Sequence, residues 1–210
     1  MLQQHRLFDA KLRALSLSRA LFSRLEEYSE DYQGNVPQRL IEKLKLATES
    51  IEERIEWSKN PDSLGFICTV LTDLARDILP LLDHAHRAQT PRGLWQVVSQ
   101  LHGTLKLAGE IFPTTSDHYE YIVANHADLY IELIDTDSHK GVIGEAKWNA
   151  IFHDFPRVLS IVQFPRLERD NVLLYPIFGH ELGHEIVDSF ESKHTENWPK
   201  SEIEHHKKKI

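Results

Sequence analysis

His180-Glu181-Leu182-Gly183-His184 places two imidazoles four residues apart with a carboxylate directly after the first. On an α-helix, positions i and i+4 stand one above the other on the same face, so both rings can reach a single metal ion. Glu181 lies about 100° round the helix from His180 at 3.6 residues per turn. That position suits a carboxylate that takes a proton from water rather than an equal ligand, which is the H-E-x-x-H arrangement of metal-assisted hydrolysis. The motif follows the apolar run Val172-Leu173-Leu174-Tyr175-Pro176-Ile177-Phe178 and continues into Ile186, Val187 and Phe190. The segment therefore reads as a mostly buried helix with polar residues at the chemically useful places. Gly183 costs such a helix about 1 kcal/mol relative to alanine, and a need for a small residue beside the metal face accounts for it.

The elements that must hold this helix divide into two halves. In the first, Phe8, Leu12, Leu15, Phe22 and Leu25 keep helical spacing until Gly34-Asn35-Val36-Pro37. A second helix is expected from Pro37 to Lys59, and Asn60-Pro61-Asp62-Ser63 breaks the chain. A third, with Phe66, Val70, Leu71, Leu74 and Ile78, runs until Pro80 disturbs it. A fourth, from Pro91, carries Leu94, Val97, Val98, Leu101, Leu105 and Leu107 and stops before Pro113. In the second half, Leu129 to Ile134 has strand composition and Asp135 to Gly141 is a turn cluster. Glu145 to Phe155 looks like a short helix, and Val158 to Phe164 alternates like a second strand. The expected class is α+β: a predominantly helical N-terminal half, then a small sheet, then the motif helix. Residues 1–112 form the expected helical bundle or cap, and residues 113–210 the region that bears the chemistry, truncated at its C-terminal end if the last helix is incomplete.

Composition narrows the function. A net charge of −8 over 210 residues, with no basic patch interleaved with aromatics, argues against a nucleic-acid surface. The most apolar window, Leu64 to Leu82, is interrupted by Asp73, Arg76 and Asp77, so no membrane span is expected. Arg6, Asp9, Lys11 and Arg13 interrupt the first segment before a secretory signal core can form. The single cysteine, Cys68, excludes an internal disulfide, fits a reducing compartment and reads as packing rather than as a nucleophile. The expected location is cytoplasmic.

Residues 178 to 188, Phe-Gly-His-Glu-Leu-Gly-His-Glu-Ile-Val-Asp, resemble the active-site helix of the zincin metallopeptidases. The resemblance covers about a dozen residues. It implies a zinc ion held by His180 and His184, with Glu181 as general base and proton shuttle, hydrolysing a bond in a peptide or protein substrate. It also implies a strand before the helix that pairs with extended substrate, for which Leu159 to Phe164 is the candidate. Regulatory peptidases of the ImmA/IrrE type carry a similar His-Glu-Leu-Gly-His run and act on cytoplasmic repressors.

Catalytic zinc takes three protein ligands and leaves a fourth position for water, so two histidines do not complete the site. No glycine occurs after Gly183, which sets aside the metzincin solution of a glycine turn that returns a third histidine. Asp188 lies about 12 Å along the axis from His180 at 1.5 Å per residue, so it is better placed as a hydrogen-bond acceptor that fixes the ring of His184. The gluzincin solution takes a glutamate from a following helix. Asn197-Trp198-Pro199 and Ser201-Glu202-Ile203-Glu204 give a helix start, so Glu204 is the candidate third ligand, with Glu202 as its substitute if Glu204 serves the capping box. A charged, solvated terminus is the competing account of these residues. Two other functional classes stand beside the peptidase. One is a helical interaction or regulatory protein whose H-E-x-x-H run is degenerate and non-catalytic. The other is a metal site serving structure or a different hydrolysis. In the peptidase reading, the helical N-terminal half can cap the site or bind a protein partner.

Overall fold

The structure is a computed structural model that describes residues 2–28, 32, 34–86, 90, 92–107, 109–117, 122–126, 137–168, 170–171, 176–180 and 182–183. Four helices come first: α1 (Leu2–Glu27), α2 (Val36–Trp57), α3 (Pro61–Ala85) and α4 (Arg92–Leu105). They are followed by β1 (Glu110–Ser116), β2 (Ile122–His126), α5 (Asp137–Ile143), α6 (Glu145–Phe152), β3 (Leu159–Pro165) and a 3₁₀ turn, Arg166–Glu168. Residues 176–180 and 182–183 are helical. The class is α+β, with a helical N-terminal half.

The first three helices form one packed layer. Lys11 donates to the carbonyl of Glu56 at 2.8 Å, so the start of α1 meets the end of α2 and the two run antiparallel. Tyr28 donates to Asp83, which brings the C-terminal ends of α1 and α3 together. The interior between them is filled by Ala14, Leu21, Leu25, Leu44, Ile51, Ile55, Leu71, Leu74 and Ile78, all buried. α3 starts where the sequence breaks. The side chain of Asn60 accepts from the N–H of Asp62 at 3.0 Å, and Pro61 occupies the first turn, where a missing N–H costs nothing.

The three-stranded sheet has the order β1-β3-β2. β1 runs parallel to β3, with Glu110 opposite Leu159, and β2 runs antiparallel to it, with Ile122 opposite Gln163. Side chains alternate across a strand, and here the alternation separates two cores. Phe112, Leu159 and Ile161 belong to the core shared with α1, α2, α3, α5 and α6. Ile111, Val162 and Phe164 face the other way, into a smaller cluster with Leu94 and Val98 of α4 and with Phe178. The sheet therefore lies between the helical bundle on one side and α4 with the motif helix on the other. A division at 112/113 falls inside β1.

Several expectations are corrected. Pro80 does not stop the third helix, because α3 continues to Ala85. A proline removes one i to i−4 bond, and both Pro80 and Arg76 are exposed, so solvent can take up the carbonyl left over. The turn cluster at 135 to 141 gives way to α5 from Asp137, where Asp137 suits a first helical turn. The fourth helix ends at Leu105, and the stretch leading to Pro113 is strand β1. Pro113 is tolerated because β1 lies at the edge of the sheet among the described residues. Phe8 is 65%, Leu12 59% and Phe66 46% exposed, although their spacing nominated them for the core. On α1 the buried stripe passes instead through Ala14, Ser18, Leu21 and Leu25, whose small members let α2 and α3 approach closely. The strand expected at 129 to 134 lies outside the described residues.

Candidate functional site

The motif helix is seated on the sheet through Phe178, and a second buried residue, Leu182, follows one helical turn later. Phe178 is 1% and Leu182 0% exposed, and the Phe178 ring meets Phe164 of β3 edge-on, with centroids 6.3 Å apart and planes at 81°. Phe164 is itself fixed, because β3 is hydrogen-bonded to β1 along its length and to β2 from Leu159 to Gln163. From that buried stripe His180 is about 200° away at 3.6 residues per turn, and it is exposed. Gly179 is also exposed and Gly183 half-buried, and a Cβ added at either would meet nothing within 4 Å. The packing of the described residues thus gives no reason for either glycine.

Of the residues nominated for the site, only His180 is described. Glu181, His184, Asp188, Glu202 and Glu204 lie outside the described residues. Among the described residues no three His, Cys, Asp or Glu side chains gather into a metal-holding group. His180 is an exposed imidazole on a helix whose opposite side is anchored by the buried Phe178 and Leu182.

One expectation about substrate is overturned. Leu159 to Phe164 was the candidate for pairing with an extended peptide, but β3 is the central strand. Its N–H and C=O groups are taken on both sides from Leu159 to Gln163, which leaves no edge there for a third chain.

Cavities among the described residues lie elsewhere. One, of about 480 Å³, runs between the N-terminal halves of α1 and α3, with Asp9, Arg13, Gly65, Cys68 and Asp73 among its walls. Cys68 is buried, and burial pushes its thiol up while Arg13 partly opposes this, so it is a poor nucleophile, in keeping with the packing role read from sequence. Another, of about 440 Å³, lies at the C-terminal ends of α1 and α3, lined by Arg24, Glu27, Tyr28, Asp83, His84, His86 and Arg166. Arg24 pairs with Glu27 and Asp83 and Tyr28 with Asp83 within this lining, and Arg166 pairs with Asp117 beyond it at 2.7 Å. Sequence spacing gave no sign of this cluster, since Tyr28 and Asp83 are 55 residues apart.

Tyr28 supplies a pH-dependent prediction. Burial, then the bond to Asp83, push its pKa from 10.0 up to about 12. The folded state therefore holds the phenolic proton more firmly than the unfolded state does. The stability this contributes is complete below pH 10 and is lost as pH rises from about 10 through about 12. Denaturant midpoints measured across that range should fall for the wild type and fall less steeply for Tyr28→Phe. Equal slopes would remove Tyr28 as the cause.

A buried polar pair sits on the same side of the sheet as the motif helix. His102 of α4 and Ser160 of β3 face each other at 3.3 Å (Nε2 to Oγ), with His102 9% and Ser160 2% exposed. This pair is too enclosed to meet substrate, and it ties α4 to the central strand. His139 of α5 is buried as well, at 6% exposed. Compared with protein-family models, with curated proteins and with solved structures, the chain matches none.

Proposed function

We propose that this chain is a zinc-dependent peptidase acting on peptide or protein substrates in the cytoplasm. The observation that carries the reading is the phase of the motif helix. Phe178 is buried against the sheet and Leu182, one turn on, is buried as well, while His180, two residues from each, is exposed. Position 184 shares the helical face of position 180 by spacing alone, so the same phase suits both histidines of the motif. A zinc ion held there would polarise the scissile carbonyl and make water a nucleophile near neutral pH. Glu181 takes the proton from that water and returns it to the leaving amine, which requires only that its carboxylate be ionised and free to move between the two positions. Asp188 would orient the ring of His184, and Glu204, or Glu202 in its place, would supply the third protein donor. Among the described residues no helix is long and apolar enough to cross a membrane, and Cys68 is a free thiol.

The test is metal content. The purified chain should hold one zinc per polypeptide, and His180→Ala and His184→Ala should each abolish stoichiometric binding while leaving the helical circular-dichroism signal intact. A wild-type chain that takes up no zinc at micromolar free metal ends the proposal in favour of an interaction protein with a degenerate motif. Closed four-ligand coordination without exchangeable water would instead indicate a structural metal.

A further inference from the structure

A metal site on one helix face tolerates little rotation of that helix. An imidazole nitrogen stands roughly 7 Å from the helix axis, so a 20° turn moves it about 2 Å, roughly ten times the tolerance of a metal–ligand distance. Something outside the helix must therefore fix its angle. The described residues offer a route to a rigid body: β3, held by strands on both sides; Phe164 on β3; and Phe178, whose ring lies edge-to-face with Phe164 at a centroid distance of 6.3 Å. Leu94 and Val98 of α4 close the same cluster, and α4 is tied to β3 by His102 and Ser160. Two aromatic rings at 81° constrain rotation more than two aliphatic chains would, because the edge-to-face arrangement has a preferred angle as well as a preferred distance.

We infer that Phe178 is a positioning residue for the metal-holding face: it reads the orientation of the sheet through Phe164 and sets the angle at which His180 is presented. The inference rests on the zinc-peptidase reading. It assigns the accuracy of the site to the sheet and α4 rather than to the motif helix itself.

Zinc affinity of the full chain, measured by competition with a chromophoric chelator, tests it without reference to activity. Phe178→Ala should weaken zinc binding on the order of 10-fold or more, the scale seen when a group that orients a metal ligand is removed. Phe178→Leu keeps an apolar plug but lacks the ring, and should lose affinity by a smaller, several-fold factor. Ile78→Ala, which hollows the core on the opposite face of the sheet, should lower Tm and leave zinc affinity unchanged. If Phe178→Ala does not fold, Phe178→Leu against Ile78→Ala carries the same comparison. Wild-type affinity in the foldable Phe178 variants, or an equal loss in Ile78→Ala, overturns the inference while the zinc-peptidase reading stands. A wild type that binds no zinc removes both.

Discussion

Glu181→Gln should retain stoichiometric zinc and lose peptide hydrolysis by about 10²–10⁴-fold, the range that a positioned general base contributes. The two halves of this outcome come from different parts of the helix. Metal retention depends on the imidazoles, and an amide at 181 leaves them unaltered in size and spacing. Loss of rate depends on the carboxylate, because glutamine is isosteric with glutamate but cannot accept a proton near neutral pH. Measuring both on one preparation separates the roles. Zinc lost together with activity would make Glu181 a ligand or a structural residue, and activity kept with zinc bound would assign the base elsewhere. Because Phe178 and Leu182 bear the packing of this helix turn, the substitution should move Tm very little. Unchanged stability beside a large kinetic effect is the signature expected of a residue that acts on substrate.

What could be read from the sequence and what could not divide along physical lines. The motif was legible because its information is local: i, i+4 spacing and residue chemistry determine which atoms can share a metal, whatever the rest of the chain does. Helices α1 to α4 were legible because apolar residues recur at 3.6-residue spacing between breakers. Which side of α1 faces inward was not. Phe8 and Leu12 hold the period as well as Ala14 and Leu21 do, and only the close approach of α2 and α3 selects the stripe with the smaller side chains. β1 was hidden because Pro113 and the polar run Thr114-Thr115-Ser116 look like a loop; all four are buried, under layers drawn from both sides of the sheet. The role of β3 was missed for a related reason. Its alternation identifies a strand, but whether a strand is central or at an edge depends on partners about 35 to 50 residues away, which no local pattern encodes. The pairs Tyr28–Asp83 and His102–Ser160 join residues 55 and 58 apart and exist only once the layers have assembled.

Gly109→Ala should be the most damaging single-methyl change in the described fold, costing about 3 kcal/mol or more, from a φ that L-residues avoid and from a clash that nothing can relieve. Gly109 has φ +82°, and a Cβ there would stand 2.4 Å from the carbonyl oxygen of Val158. That carbonyl cannot swing aside, because it accepts the N–H of Glu110 at 3.1 Å, the bond that starts the β1–β3 pairing. Relief would require the two strands to part at their first rung. Since that pairing orients β3, and β3 carries Phe164 under the motif helix, the damage should reach the candidate site. Gly144 provides the control. Its φ is +97°, yet an added Cβ meets nothing within 4 Å, so Gly144→Ala carries the backbone strain alone, about 1–2 kcal/mol. Chemical denaturation of the two variants should therefore separate strain from collision. Equal losses would mean that Val158 yields, and that the start of the parallel pair is softer than its hydrogen bonding implies; a larger loss at Gly109 accompanied by weaker zinc binding would show the sheet acting on the metal site through β3.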